Sequence, residues 1–354
     1  MINMKFLNFF KKKESNILLN LASLSLSIIV TIIGIEIYLT TIEYPYQGCE
    51  EVNQTAELYL GEFNEQTGWS YKRQISYYEQ NNKYQYHFDN KGIRVPEPLY
   101  KIDKKKPIIL FIGGSVTFGE ELSYQHTFPA KIGSLLEDEF EIVNLGVQGF
   151  GTAQSMLRLR SMINDIKPKH IVYTFNFDHI NRDINYDRRL HIKCSEFAGT
   201  KPIFKIKDGG IYQTHFPQKY SITDRFRIPL FLSLSYQNYK EKSLTKSGKN
   251  QEITKAIIDD ISTLANKHKA KDYYIYYDTT YDLSPDNANK HLSEYLFDSH
   301  KRQKVLNFTN WASDSQTTGT KYYTNEKDFM HPNASLSTKI AEQFVEKFKQ
   351  NLAE

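Results

Sequence analysis

Residues 107–119, Pro-Ile-Ile-Leu-Phe-Ile-Gly-Gly-Ser-Val-Thr-Phe-Gly, limit what this 354-residue chain can fold into more than any other stretch. A continuous apolar run closed by glycines reads as a strand buried on both faces, the kind found inside parallel sheets. The glycines permit a tight turn and close backbone approach. Ser115 then stands at the carboxyl end of a central strand, where open α/β sheets bind ligands. Two readings follow. Ser115 is a nucleophile on a strand–turn–helix, or it is the N-cap of the next helix. This stretch alone does not choose between them.

The pattern around it repeats. Apolar runs at 107–112, 141–145, 170–177, 272–277 and 304–308 read as strands. Segments at 127–139, 153–166, 250–268, 286–302 and 334–351 carry apolar residues at helical spacing, with Thr152 placed to cap the second. Alternating strands and helices predict an α/β fold with a mostly parallel five-stranded sheet, helices on both faces and right-handed crossovers. Residues 41–104 read as an accessory lead-in, with a hairpin strand at 84–88 and a turn at 89–92. Residues at about 180–250 break the rhythm and read as an insertion, either a lid or a structural elaboration.

The amino terminus is different in kind. Lys5, Lys11, Lys12 and Lys13 precede an apolar stretch from Ile17 to Tyr38. Twenty-two helical residues reach about 33 Å, enough for a hydrocarbon core of about 30 Å. The span lacks a small-residue cleavage site, so it reads as a retained signal anchor. Lysines before it and Glu43, Glu50 and Glu51 after it place residues 1–16 in the cytoplasm, 17–40 in the cytoplasmic membrane and the domain at 105–354 outside. The net charge is +4, half of it from the first 40 residues. The remainder is near neutral, which argues against nucleic acid as a partner. Cys49 and Cys194 are too few for a disulfide scaffold and form no metal motif, although an outside location would allow them to pair. No metal or cofactor is implied, and the histidines other than His179 and His331 lack ligand spacing. Lys104, Lys105 and Lys106 read as a solvated approach to the first strand, and Glu120 and Glu121 as a helix-start or surface pair.

A serine hydroxyl becomes a nucleophile when a base lies within hydrogen-bond reach and a third group orients that base. Four blocks, in order, resemble those of the SGNH (GDSL-type) hydrolase superfamily: Gly113-Gly-Ser115-Val-Thr-Phe-Gly119, Asn144-Leu-Gly-Val-Gln-Gly149, residues 171–179 ending Asn176-Phe-Asp178-His179, and Asp328-Phe-Met-His331. The lead-in Gly68-Trp69 and residues 90–94 also resemble segments that precede this domain in membrane-associated members.

The resemblance implies a three-layer flavodoxin-like domain and a serine esterase working through an acyl-enzyme. Ser115 would be the nucleophile, His331 the base and Asp328 its orienter, with the backbone N–H groups of Ser115 and Gly149 in the oxyanion hole. Two departures stand out. Gly114 replaces the family's usual Asp. Asp178 aligns with its oxyanion-donating Asn, and an ionised carboxylate cannot donate; His179 and Asn176 are the other candidates. The implied substrate is an ester, with O-acyl groups on surface carbohydrate as the suggested class. Acyl transfer to a surface polysaccharide, or an inactive binding or assembly protein, is the alternative. Without the other blocks, Asp328 and His331 read as a polar loop before a helix capped by Asn333.

Overall fold

The computed structural model describes residues 3–45, 60–79, 81–137, 139–190, 199–220, 226–277, 288–297, 305–308, 323–325 and 328–353. Cys49 and Cys194 lie outside these residues. Helix α1 runs Asn3–Thr41, and its part Ile17–Thr41 is long and apolar enough to cross a membrane. Its large apolar side chains from Ile17 to Tyr38 stand exposed, while Glu36 near its end accepts from the N–H groups of Arg227 and Ile228.

The lead-in is built of short strands. β1 (Gly61–Asn64) and β2 (Gly68–Tyr71) form an antiparallel pair. β3 (Ser76–Tyr78), β4 (Gln85–Phe88) and β5 (Arg94–Val95) follow, also antiparallel, with β4 and β5 joined by the turn at 89–92. Asp89 closes that turn by accepting from the N–H groups of Lys91 and Ile93 at 2.8 Å each. The repeating core then begins with β6 (Ile108–Gly113), the four-residue helix α2 (Ser115–Phe118), α3 (Phe128–Leu135), β7 (Glu141–Asn144), α4 (Thr152–Ile166) and β8 (His170–Asn176). Helix α5 (Asp178–Ile184), the hairpin of β9 (Ile203–Lys207) and β10 (Gly210–His215), and α6 (Arg227–Lys246) occupy the insertion. The core resumes with α7 (Lys249–Lys267), β11 (Lys271–Tyr277), α8 (Ala288–Leu296) and β12 (Val305–Phe308). It closes with β13 (Tyr323–Asn325), β14 (Asp328–Pro332) and α9 (Ala334–Ala353).

The central sheet has the order β12-β11-β8-β6-β7-β5-β4-β3. Its first five strands are parallel, as the alternating pattern predicts. The other three come from the lead-in and run antiparallel, joining through Arg94 opposite Asn144. Strands of two to four residues without an apolar run leave little periodic signal. They cover the edge that β7 would otherwise expose, where unpaired N–H and C=O groups invite foreign pairing.

Alternation along the strands sends side chains to two cores. Ile171, Tyr173 and Phe175 of β8 pack with α4 and α7. Val172 packs on the other face with Phe128 and Ile132 of α3 and with Leu336, Ile340 and Phe344 of α9. A third core of Trp69, Tyr71, Tyr86, Phe88, Phe118, Val147 and Phe150 ties the lead-in to α2 and to the loop after β7.

Candidate active site

Ser115 is the first residue of α2, and the helix is capped by Gly114 with no side-chain bond. The helix-cap reading of Ser115 therefore fails. Its hydroxyl lies 2.8 Å from Nε2 of His331. Ser115 is 6% exposed, so the pair sits in a confined place that substrate can still reach. As first residue of a helix, Ser115 has an N–H with no carbonyl four residues back to bond, and such donors suit a developing negative charge.

His331 arrives from 216 residues away because β14 delivers it just before α9. Asn333 then caps α9, accepting from Ser335 and Leu336 N–H at 3.0 Å each. The polar-loop reading and the catalytic one thus describe the same segment: the cap fixes the helix, and the helix fixes His331. Asp328 begins β14, and its side chain lies outside the described residues.

The loop after β7 is pinned from two sides. Asn144 donates to the carbonyl of Thr117 at 2.8 Å and accepts from the Gly146 N–H at 2.9 Å, so the loop rests on α2. From the lead-in, Trp69 Nε1 donates to the Gln148 carbonyl at 3.0 Å. The Tyr71 hydroxyl donates to Gln148 Oε1 and accepts from the Gln148 N–H, both at 3.0 Å. Gly149 is left-handed at φ +74°, and a Cβ there would lie 2.6 Å from the guanidinium carbon of Arg188. Only glycine lets Arg188 pack so closely on this loop. Arg94, buried with its guanidinium on the carbonyls of Phe118, Gly119 and Leu122, locks the far end of α2.

The end of β8 is arranged differently. Asp178 is half-exposed and accepts from Arg182 Nη2 at 3.4 Å. Arg182 also donates through Nη1 to the Phe150 carbonyl at 3.0 Å. His179 is buried, its Nδ1 2.8 Å from the Tyr173 hydroxyl, which donates to Thr152 Oγ1 at 2.9 Å. Thr152 in turn donates to Asp183, which also accepts from Ala153 N–H at 3.0 Å and Thr254 Oγ1 at 2.8 Å. This directed chain puts the His179 proton on Nδ1 and leaves a lone pair on Nε2. Burial, with Arg182 and Lys201 nearby, pushes the His179 ring well below its ordinary value and keeps it neutral. Neither Asp178 nor His179 therefore offers an N–H to the site.

Asn176 differs from both. Its Oδ1 accepts from the Asp178 N–H at 3.0 Å, which leaves the amide NH₂ to donate elsewhere. Register places Thr174 opposite Gly113, so Asn176 ends β8 at the same edge of the sheet from which the chain enters α2. Alternation puts it on the Val172 face, the side of α9 and His331.

Gly114 meets the end of β8 directly. A Cβ on Gly114 would lie 3.0 Å from Nε2 of His179. The missing side chain at position 114 is what makes room for the histidine. Thr152 is not the cap of α4, either. Gly151 occupies that position, and its N–H is held by Gln154 Oε1 at 3.2 Å.

Two residues in this neighbourhood were read otherwise or passed over. Glu120 Oε2 is 3.1 Å from Nε2 of His331, so Glu120 is no surface or helix-start residue. Its signal was the glycine before it: Gly119 caps α2 in the left-handed conformation and folds the chain back. Arg188 comes from the insertion, where nothing in its local sequence marks it. Among the described residues no cluster of His, Cys, Asp or Glu is placed to hold a metal ion.

No family model matches the chain, and no curated protein does. Solved structures similar to it include lipolytic proteins and esterases. One is a G-D-S-L family lipolytic protein from Desulfitobacterium hafniense, 15% identical over 68% of this chain and 99% of that one, with a TM-score of 0.40. Another is the esterase EstA from Pseudoalteromonas sp., 10% identical over 70% and 100%, with a TM-score of 0.40. A third is an acetylxylan esterase from Geobacillus stearothermophilus, 12% identical over 68% and 93%, with a TM-score of 0.39. The chemistry of the site rests on its own geometry.

Proposed function

We propose that the chain is a serine ester hydrolase. The observation that carries this reading is the 2.8 Å contact between the Ser115 hydroxyl and His331 Nε2 at the carboxyl edge of the sheet. Ser115 attacks the ester carbonyl carbon while its proton passes to His331 Nε2. The oxyanion forms against the N–H groups of Ser115 and Gly149, with the Asn176 amide as third donor. Collapse breaks the bond to the alcohol, which leaves with the proton from Nε2. Water, deprotonated by the same nitrogen, then cleaves the acyl-enzyme and returns Ser115. Asp328, three residues before His331, orients the imidazole.

The substrate is an O-acyl group on a surface carbohydrate, the class the sequence resemblance implies, and α1 anchors the domain on the outer side of the cytoplasmic membrane. The expected outcome is hydrolysis of p-nitrophenyl acetate by the purified chain in detergent, lost by a factor of about 10³ or more in Ser115→Ala. Equal rates for the two proteins would overturn the reading.

A further inference from the structure

The carboxylate of Glu120 is built into the site with as much care as the nucleophile. The N–H of Glu120 donates to the carbonyl of Ser115 at 3.2 Å, so its backbone is held by the very residue that attacks. Left-handed Gly119 turns the chain at that point. The side chain, 23% exposed, ends 3.1 Å from His331 Nε2, the nitrogen that is also 2.8 Å from Ser115 Oγ. The Gln148 amide hydrogen-bonds the same carboxylate, and Arg188 faces it.

One ring nitrogen cannot serve both neighbours in every protonation state. When Nε2 carries a lone pair, it accepts the Ser115 hydroxyl proton, and the carboxylate faces it with no hydrogen bond from the ring. When Nε2 carries a proton, the N–H finds Glu120 directly and the negative charge stabilises the imidazolium. Glu120 therefore favours the charged ring, which is the form present in both tetrahedral intermediates and also the form that cannot activate Ser115.

We propose that Glu120 is a catalytic carboxylate of this site: it receives the hydrogen bond of the Nε2 proton in the imidazolium states, and so sets the lower pH limit of serine activation. The proposal rests on the serine hydrolase reading given above. Glu120 itself takes no proton in the cycle. Ser115 loses its proton to Nε2, and Nε2 gives it to the leaving alcohol.

The surrounding groups are consistent with an ionised Glu120. Burial alone pushes its carboxyl up, but His331, Gln148 and Arg188 outweigh this and hold it below its ordinary value. Coupling of this kind is mutual, so the carboxylate favours protonation of His331. Among the described residues, Tyr84 and Tyr86 of the lead-in also lie near Glu120, their hydroxyls kept neutral by burial, and the positive charge of Arg188 offsets part of the effect. Asp328 precedes His331 on β14 and acts on Nδ1 in the reading above.

The test is the pH profile of kcat/KM on p-nitrophenyl acetate for the full chain in detergent. Glu120→Gln keeps the shape and removes the charge, so its acid limb is expected about one pH unit lower, with a reduced plateau. Glu120→Asp restores the midpoint toward wild type. Superimposable profiles, with activity still dependent on Ser115, would overturn the inference and leave the hydrolase reading intact. A second readout does not need turnover. The ring carbon NMR titration of His331, assigned by comparison with His331→Asn, moves to lower pH in Glu120→Gln if the inference holds. An unmoved midpoint overturns it, whether or not the protein hydrolyses esters.

Discussion

The loop of residues 146–151 and the end of β8 flank the same serine, yet they are built on opposite plans. In the loop, side chains from elsewhere converge on the backbone: Trp69 and Tyr71 hold Gln148, Asn144 holds Gly146, and Arg188 lies on Gly149. The position of this loop therefore depends on the lead-in. At the end of β8 the side chains turn inward. His179 points its donor at Tyr173, Asp178 is engaged by Arg182, and Asp183 is buried among three donors. One flank is a held backbone aimed outward. The other is a closed polar network, with only the Asn176 amide left over. On the hydrolase reading proposed above, an Asp at position 178 need not disable the site, because the loop side is held by more bonds from other elements.

Breaking the loop side is expected to have the largest effect. Gly149→Ala puts a methyl into Arg188 and strains a left-handed residue, so kcat falls about 10²-fold or more while KM changes little. Steady-state kinetics on p-nitrophenyl acetate, with a melting curve to confirm folding, checks this. Next comes the contrast within β8. Asn176→Ala is expected to lower kcat by about 10- to 10²-fold, whereas Asp178→Ala stays within about threefold of wild type. A larger loss in Asp178→Ala than in Asn176→Ala would reverse the donor assignment.

Tyr71→Phe tests whether the lead-in is part of the site. It strips the Gln148 N–H and Oε1 of their shared partner in a buried place, at a cost of about 1–3 kcal/mol in stability. Activity should fall less than in Gly149→Ala, and denaturant unfolding measures the rest.

The smallest effect concerns the opposite end of β8. His170 is buried among Phe140, Tyr273 and Phe348, and burial, with Lys271 and Lys169 nearby, lowers its ring to about 4. The unfolded chain protonates this histidine below about 6.5 and the folded one does not until about 4, so stability is lost as pH falls through that window. His170→Leu removes the group. The midpoint of urea unfolding should then depend less on pH between about 4 and 6.5, with activity at neutral pH unchanged.

How much of this could be read from the chain follows from range. The apolar runs that make β6, β8 and β11 are long, local and almost wholly buried, and with the shorter runs of β7 and β12 they alternate with helices, which is why a parallel sheet could be read from them. Ser115 and His331, which the structure brings within 2.8 Å, could be singled out because each lies in a short block at the end of an element. In the lead-in the strand at 84–88 and its turn were legible, but β5 was hidden, since it is two residues long and owes its place to Asn144 across the sheet. Glu120 was misread because its role depends on a left-handed glycine and on a histidine 211 positions later. Arg188 was invisible because its neighbours, Gly149, Trp69 and Glu120, are all distant in sequence. The positions of Gly114 and His179 explain each other only in three dimensions.

The central claim is that Ser115 is a nucleophile activated by His331. The direct measurement is mass spectrometry of the full chain after exposure to a fluorophosphonate. The account predicts a single phosphonyl adduct on the peptide carrying Ser115, formed rapidly in wild type and at least about 10²-fold more slowly in His331→Ala. An unmodified Ser115, or labelling at the same rate without His331, would contradict it.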